Sequence, residues 1–324
     1  MNLKFYEDKL RHLNQDRNGP WTETTNGRAP HKPFLLLAVL DLAEEGTLSE
    51  NFIELSPDLG EIFSIYWAKV MPPDRSGNLA QPFFYLRSEG FWHLRAQPEK
   101  EAVLEATRSV NTLNDVRKIA TGARLDEDLF ALVCDSQSRQ LLRVALVEAC
   151  FSPAVGPLLL QQSAINVEAY DYSKTLLEQA RTRRMEETAQ IETGKAAVRD
   201  QGFRRAVVLA YNHRCAICGL RIQTPEGHTV VEGAHIKPWS VSHNDDPRNG
   251  VALCRLCHWG FDEGLLGVSP KFVVVVSNQL AANDNLPGHL VMMRDREIFK
   301  PQETQLWPDL DMVKWHFDKV FRKR

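Results

Sequence analysis

The sequence lacks a strong charge of either sign, a membrane-length apolar run and an apolar leader. Its 324 residues carry 39 Lys and Arg against 42 Asp and Glu, so the formal net charge is −3. This balance excludes overall attraction to a polyanion, and any nucleic-acid-binding face has to be a local patch. The longest apolar run, which begins at Phe34, is far shorter than the roughly 20 residues of a membrane span. The opening residues, MNLKFY, have no apolar h-region, and we therefore expect a cytoplasmic protein.

Internal repeats and low-complexity segments are also absent from the sequence, which excludes a repeat architecture. The length instead predicts about two domains of roughly 150 residues each, and an apolar fraction of 43% is sufficient for packed cores. Pro153, Gly156 and Pro157 indicate a linker within residues 152–170. We therefore expect an N-terminal domain over 1–155, a linker and helix over 156–196, and a C-terminal domain over 197–324.

Cysteine is scarce, and its arrangement is informative. Four of the six thiols form two Cys-x-x-Cys pairs, namely Cys215, Cys218, Cys254 and Cys257. This spacing suits a tetrahedral structural zinc, and a reducing compartment favours metal over disulfide. The other two, Cys134 and Cys150, lie in apolar helical sequence and are expected to be small buried side chains.

Helical periodicity dominates the N-terminal half. Helices are predicted within residues 3–13, between Pro30 and Gly46, from Ser56 onward, and near 125–134 and 137–150. Residues 83–87 and 91–94 flank Ser-Glu-Gly and predict a β-hairpin. Helices followed by a hairpin are typical of a winged helix-turn-helix. The fold class is therefore expected to be α+β, with a mainly helical, winged-helix-like N-terminal domain.

The C-terminal half combines helices with short strands. Residues 172–193 are charged and helix-prone, which is typical of a solvated helix face. The pattern further predicts a helix over 197–212, a hairpin over 267–277 with one buried strand, and a closing helix that includes Val313 and Phe317.

Polar residues that can carry chemistry lie between and beside the cysteine pairs. The string Gly-Ala-His235-Ile-Lys-Pro is followed by Asp-Pro-Arg-Asn249-Gly, and His258 directly follows Cys257. Together with the four thiols, this block resembles the HNH nuclease family over about residues 197–276. The resemblance implies a ββα-metal fold, in which a hairpin, a loop and one helix surround a divalent cation. The C-terminal domain is thus expected to be a zinc-stabilised HNH nuclease.

The same resemblance implies roles for three side chains. His235 is the expected general base, Asn249 fastens the loop that orients this base, and His258 holds the catalytic cation. A DNA phosphodiester is anionic and its alkoxide leaves poorly, so hydrolysis needs a base and a cation that absorbs charge on the leaving oxygen. A neutral imidazole near pH 7 accepts a proton from water. The expected activity is that of a DNA endonuclease with Mg²⁺, Mn²⁺, Co²⁺ or Ni²⁺, whose products carry a 5′-phosphate and a 3′-hydroxyl.

A second protein ligand for the catalytic cation is missing from the motif. Many family members have Asp or His directly before the base, where this chain has Ala234. Asp262, one helical turn after His258, is the first candidate to replace it, and His243 and Glu232 are weaker candidates. Water and a DNA phosphate are the remaining alternative.

Two N-terminal segments resemble a second family. GRAPHKPFLLL, which starts at Gly27, and QPFFYLRSEGFWHL, which starts at Gln81, are similar to the sulfur-binding-type reader domains of type IV, modification-dependent restriction endonucleases. The segments GHLV, WP and KWHFDKVF near the C-terminus also fit such enzymes. The DNA-binding residues expected from these motifs are Arg28, His31, Lys32, Tyr85, Arg87 and His93.

The candidate reader residues suit a modified phosphate. Arg28, His31 and Lys32 crowd the start of a buried helix, whose terminal amides favour an anion. The predicted hairpin would add an aromatic wall and hydrogen-bond donors. A phosphorothioate is softer and less hydrated than a phosphate, so an apolar pocket rimmed by positive charge prefers it. The alternatives are that the aromatic residues are hairpin core and that Lys32 and Arg87 are solvated surface groups.

Both resemblances together predict a modification-dependent restriction endonuclease that cuts foreign double-stranded DNA. The modification stays open between a phosphorothioate backbone and a modified cytosine such as 5-hydroxymethylcytosine or 5-methylcytosine. Because cutting both strands with one active site usually requires two subunits, a C2 homodimer is expected, with residues 172–193 or the C-terminal segment as the interface. The alternative, motivated by Ala234, is a catalytically inactive, zinc-stabilised DNA-binding regulator.

Overall fold

The computed structural model describes residues 2–182, 196–282 and 285–323. The chain forms two compact units. The first comprises residues 1–167 together with 224–228, and the second comprises 168–223 and 229–324. Both contain helices and short two-stranded antiparallel sheets, so the predicted α+β class is confirmed.

Helices build most of the first unit. They are α1 (Leu3–Arg11), α2 (His31–Glu44), α3 (Pro57–Val70), α4 (Ala80–Tyr85), α5 (Glu101–Ala106), α6 (Leu113–Ile119), α7 (Glu127–Cys134) and α8 (Ser136–Cys150). Those predicted from apolar periodicity, α1, α2, α3, α7 and α8, are confirmed. Helix α2 is buried on all sides from Lys32 to Leu42, as its continuous apolar sequence requires.

The predicted β-hairpin over residues 83–94 is wrong in its first half. Its first segment lies in α4 and in a 3-10 turn over Leu86–Glu89. Its second segment is a strand, β1 (Trp92–Ala96), but the antiparallel partner is β2 (Ala120–Leu125), with Trp92 opposite Leu125. The sheet of this unit is therefore closed by a connection of more than twenty residues and is not a local hairpin.

Capping and burial explain why α4 replaces a strand. The Asn78 side chain accepts a hydrogen bond from the Ala80 amide at 2.9 Å, which starts the helix. The consecutive residues Phe83 and Phe84 are both fully buried, which is not expected of a strand that has one face in solvent. Packing against the core therefore overrides the β-propensity of these aromatic residues.

A buried carboxylate organises the core of the first unit. Asp41 of α2 has no exposed surface and accepts hydrogen bonds from the Tyr66 hydroxyl at 2.6 Å and the Ser163 hydroxyl at 2.5 Å. It also accepts from the Asn166 amide at 2.9 Å and the Arg143 guanidinium at 3.2 Å. Burial raises the pKa of the Asp41 carboxyl, and the four donors offset part of this desolvation.

Replacing Asp41 with Ala is expected to destabilise the protein by about 3–5 kcal/mol, because the change leaves the buried Tyr66 and Ser163 hydroxyls without their acceptor and leaves Arg143 with Glu44 as its remaining carboxylate partner. Denaturant unfolding of the full chain measures the loss. The matched control is Glu127→Ala, which removes the exposed ion pair between Glu127 and Arg124 and should change stability far less. Equal effects of the two substitutions would contradict a structural role for the buried carboxylate.

The second unit alternates helices with two small sheets. Its elements are α10 (Ala196–Ala210), β3 (Val231–His235), α11 (Trp239–Ser242), β4 (Gly250–Cys254), α12 (Arg255–Asp262), β5 (Leu266–Val268), β6 (Val274–Val276) and α13 (Leu310–Lys319). The predicted helix over 197–212, the hairpin over 267–277 and the closing helix are confirmed as α10, β5–β6 and α13. Helix α10 crosses β3 so closely that a Cβ at Gly233 would lie 2.9 Å from the Arg204 Cα.

Residues 152–170, predicted to be a linker, lie mostly in helix α9 (Gly156–Thr182). Pro157 stands in the first turn of this helix, where its missing N–H has no intrahelical partner to lose. Gly156 and Pro157 thus mark a helix start and not a flexible connection. Of the charged run to residue 193, residues 183–195 lie outside the described residues.

Two further predictions concern exposure. Cys150 is buried as expected, whereas Cys134 is exposed at the end of α7, so the prediction for Cys134 is wrong.

In the described ranges, no helix combines the length and the apolar content that crossing a membrane requires.

Candidate active site

Strands β3 and β4 and helix α12 form a ββα segment over residues 231–262. The strands are antiparallel, with His235 opposite Gly250 and Val231 opposite Cys254. The hairpin therefore places His235 at one end of the sheet, and Cys254 with the start of α12 at the other. The intervening loop is closed by a hydrogen bond from the Ile236 amide to the Asn249 carbonyl at 2.8 Å.

The four paired cysteines come together at the start of α12. Their sulfur atoms all lie within 4.8 Å of one another, and Sγ of Cys218 is 3.7 Å from Sγ of Cys254. A hydrogen bond from the Cys218 thiol lowers the pKa of Cys215, which favours the thiolate, the form that binds metal. Four such sulfurs fit Zn²⁺, which takes them as a tetrahedron and closes the site to other ligands.

His235 is held in one orientation at the end of β3. Its ring stacks on Phe203 of α10, with centroids 3.7 Å apart and planes 6° from parallel. Nε2 lies 2.9 Å from Oδ1 of Asp245. Because a carboxylate only accepts hydrogen bonds, this contact selects the tautomer with the proton on Nε2 and leaves the lone pair on Nδ1. The side chain is 20% exposed, so the ring is accessible to a reactant.

Asp245 is a site residue to which the sequence pattern assigned no role. It belongs to the Asp-Asp-Pro-Arg-Asn string, but spacing does not show which of the two carboxylates meets the base. In the structure Asp245 contacts His235, whereas Asp246 accepts from the Arg248 amide at 2.9 Å and from its guanidinium. An Asp-Asp pair just before the middle Asn was the available signal.

Asn249 ties the loop between the two strands together. It is fully buried. Its side-chain oxygen accepts from the Lys237 amide at 3.0 Å, and its Nδ2 donates to the carbonyls of Lys237 at 3.1 Å and Asn244 at 2.9 Å. These bonds connect Lys237, two residues after His235, to Asn244, the residue before Asp245. Asn249 therefore restrains both members of the His235–Asp245 pair.

His258 lies between two carboxylates on the first turn of α12. Its Nδ1 is 3.5 Å from Oε2 of Glu232, and its Nε2 is 3.4 Å from Oδ2 of Asp262. Ala234, which stands where many family members have a ligand, is buried and offers none. His243 packs instead against the Trp239 ring, with centroids 4.6 Å apart. Within the described residues, the four thiols are the only group of three or more potential ligands within 4.8 Å.

The cationic residues at the start of α2 have internal partners. Lys32 is buried and forms an ion pair with Glu89, and its ammonium also donates to the Asn14 carbonyl at 2.8 Å. His31 packs between Trp21 and Trp67, with centroid distances of 5.5 and 4.7 Å. Burial lowers the pKa of His31 to about 4, so the ring is neutral at pH 7 and does not attract a phosphate by charge.

The other reader candidates differ in exposure. Arg87 donates to the carbonyls of Leu104 at 3.2 Å and Thr107 at 2.7 Å, so its guanidinium is engaged by the backbone. Tyr85 is 38% exposed. The His93 side chain is 57% exposed, with Nε2 at 2.7 Å from Asp126. Arg28 is half-buried. The six reader candidates therefore do not form one exposed cationic surface.

His31 is expected to make the protein less stable in mild acid. Below pH 6.5 the unfolded chain protonates this ring, but the folded chain does not until about pH 4. Folding stability therefore falls as pH falls through this window, by about 2 kcal/mol at pH 5. Unfolding of wild type and His31→Phe at pH 7.5 and 5.0 measures the effect, with His12→Phe, at the exposed residue that follows α1, as control. An identical pH dependence in all three proteins would contradict it.

Comparison with known proteins identifies the ββα segment. Residues 215–269 match a family described as HNH endonuclease. Among solved structures, the chain is similar to one described as "Modification dependent TagI restriction endonuclease", with 26% identity and a TM-score of 0.29. The match covers 42% of this chain and 44% of that chain, which is less than half of its length. No curated protein matches.

The family match and the geometry concern the same residues. The matched range contains both thiol pairs, His235, Asn249 and His258. The structure shows the hairpin followed by one helix that the resemblance implied. The second unit of this chain therefore contains an HNH endonuclease domain.

Proposed function

We propose that the protein is a modification-dependent, type IV restriction endonuclease that hydrolyses phosphodiester bonds in modified double-stranded DNA. The observation that carries the hydrolytic part of this proposal is the His235–Asp245 pair, and the modification dependence rests on the resemblance of the two N-terminal segments to reader domains. It orients a partly exposed imidazole with a free Nδ1 lone pair inside an HNH domain. The residues of the domain supply a base, a loop clamp and a candidate cation site, which are the parts that phosphodiester hydrolysis needs.

His235 performs the proton transfer in this proposal. Nδ1 takes a proton from a water molecule whose oxygen forms the new bond to phosphorus. The bond between phosphorus and the 3′ oxygen breaks, and the leaving alkoxide takes a proton from solvent. The products are a 5′-phosphate and a 3′-hydroxyl. Nε2 keeps its proton throughout, because its hydrogen bond to the Asp245 carboxylate stabilises the imidazolium that forms.

His258 and one of the two carboxylates beside it would hold the catalytic cation, because Glu232 faces its Nδ1 and Asp262 faces its Nε2. Residues 232 and 234 share one face of β3 because side chains alternate along a strand. Glu232 thus presents a carboxylate on the face where Ala234 offers no ligand, and Asp262 presents another from α12. A divalent cation bound there supplies Lewis acidity and stabilises charge on the leaving oxygen.

Removing the carboxylate that holds the cation is expected to weaken metal binding. Whichever of Glu232→Gln and Asp262→Asn removes the ligand should raise the metal concentration for half-maximal cleavage by at least about 10-fold, because loss of a residue that only supports a metal ligand already costs this much. Titration of Mg²⁺ and Mn²⁺ in a plasmid nicking assay measures the shift. Glu263→Gln, whose carboxylate pairs with Arg322 at 3.3 Å, is the matched control. An unchanged metal dependence of one variant removes that residue from the ligand set.

The first unit is the proposed reader of the modification, either a phosphorothioate or a modified cytosine. Its most exposed candidate side chains, Tyr85 and His93, support a contact with DNA that does not depend on a cationic patch. Subunit association as a homodimer is part of the same proposal, because two cuts need two active sites. Sedimentation with and without DNA tests the dimer separately.

Paired digests test the function. Phosphorothioated, hydroxymethylated, methylated and plain plasmids are incubated with the full-length protein and Mg²⁺, Mn²⁺, Co²⁺ or Ni²⁺. A parallel digest with His235→Ala is the control for each plasmid and metal. We expect cleavage of one modified substrate and little of plain DNA. DNA binding without cleavage of any substrate would instead support a zinc-stabilised regulator, which Ala234 favours. Equal cleavage of all substrates would contradict modification dependence.

A further inference from the structure

We infer that Tyr172 and Asp245 form a positioning relay that fixes the tautomer and orientation of His235, with Arg199 as the charge that holds Asp245 in place. This inference rests on the proposed function for its catalytic consequence, but its structural content does not depend on DNA. Tyr172 lies on α9, more than sixty residues before His235 in the sequence, and is outside the matched family range.

The two oxygens of Asp245 serve different partners. Oδ1 lies 2.9 Å from Nε2 of His235, and Oδ2 accepts from the Tyr172 hydroxyl at 3.2 Å. The Asp245 side chain is only 4% exposed. Rotation of the Asp245 carboxylate would break the hydrogen bonds to both Tyr172 and His235. Tyr172 therefore restrains the base although it does not touch it.

Arg199 supplies the positive charge beside the relay. Its Nε is 3.6 Å from Oδ2 of Asp245, and its guanidinium lies 3.6 Å above the centre of the Trp239 ring. It also forms an ion pair with Asp200 on its own helix at 2.5 Å. The cation is thus held by a ring face and a second carboxylate, and its positive charge lies beside the Asp245 carboxylate.

Phe203 restrains the remaining motion of the base. Parallel stacking at 3.7 Å fixes the plane of the imidazole, and the bond to Asp245 fixes rotation within that plane. Burial and the nearby carboxylate raise the pKa of Tyr172, so its hydroxyl remains a donor. The result is a ring whose Nε2 carries the proton and whose Nδ1 is the acceptor. This is the form that a general base requires.

The kinetic test compares Asp245→Asn and Tyr172→Phe with Tyr170→Phe, a change two residues away on the same helix. An Asn amide can donate to Nε2 and so selects the wrong tautomer, which should lower kcat by roughly 100- to 10,000-fold with KM within about 3-fold. Tyr172→Phe should lower kcat by about 10-fold and Tyr170→Phe should leave it unchanged. Wild-type kcat in Tyr172→Phe would remove Tyr172 from the relay.

A spectroscopic test separates positioning from activity. Nitrogen-15 spectra of histidine-labelled full-length protein, with His235 assigned by its loss in His235→Ala, report the tautomer without DNA. We expect the Nε2-protonated form in wild type and a shift toward the Nδ1-protonated form in Asp245→Asn, or in Asp245→Ala if the first variant does not fold. An unchanged tautomer overturns the relay. Failure of wild type to cleave DNA would contradict the proposed function and leave this result standing.

Discussion

Replacing His235 with Ala is expected to lower the cleavage rate by roughly 100- to 10,000-fold, the range that a positioned general base contributes. The physical reason is that stacking on Phe203 and the hydrogen bond to Asp245 hold this imidazole in one plane with Nδ1 as the acceptor. DNA binding should remain near the wild-type level, because the ring is small and largely covered. Single-turnover cleavage and a binding titration in Ca²⁺ measure the two quantities.

The control for this experiment is another histidine. His289 is exposed on the surface in a 3-10 turn over Gly288–Met293, and His289→Ala should cleave at the wild-type rate. His235→Ala at full rate would show that the base is misassigned. Loss of cleavage together with loss of zinc would show unfolding and not a chemical defect, so zinc content is measured on the same sample.

Replacing Cys254 with Ala is expected to unfold most of the second unit. Cys254 ends β4 and caps the start of α12, so its sulfur joins the hairpin to the helix that carries His258. Zinc held by four thiolates contributes about 10–16 kcal/mol of folding free energy in small domains, which exceeds the typical stability of a domain. Loss of one thiolate should therefore abolish stoichiometric zinc and the cooperative unfolding of this unit.

Metal analysis and thermal unfolding of the full chain measure this effect. Cys134→Ala is the matched control, since this thiol is exposed on α7 in the first unit and lies outside the cysteine cluster. Chelation of wild type should reproduce the behaviour of Cys254→Ala, and added zinc should reverse it. A Cys254→Ala protein that keeps one zinc per chain and the wild-type unfolding temperature would contradict a structural role for the cluster.

The parts of the second unit that were predictable from sequence are those whose geometry is local. The pairing of β3 with β4 places Cys254 at one end of the hairpin, and a hydrogen bond from the Ala216 amide to the Ala252 carbonyl at 2.7 Å joins the first Cys-x-x-Cys pair to β4. The position of His258 on α12 follows from its place directly after Cys257. Asn249 bonds to atoms of its own loop, which is also a short-range consequence of the chain.

The first unit shows where local patterns failed. Phe83, Phe84 and Trp92 read as hairpin residues, but the first two are helical, and Trp92 pairs across to Leu125. Lys32 and Glu89 are far apart in sequence, and only the fold shows that they neutralise each other. A cation in a sequence is therefore a poor predictor of a DNA contact when burial decides its partner.

By itself the sequence determined the class of the chemistry: an HNH block with zinc-type thiols, a candidate base and a helix that follows it. The tertiary structure alone decided which carboxylate orients the base, because Asp245 and Asp246 are equivalent in spacing and differ only in what they face. It also brought Tyr172 of α9 to Asp245. Such contacts depend on packing between distant segments, and their energies come from burial that no short sequence window contains.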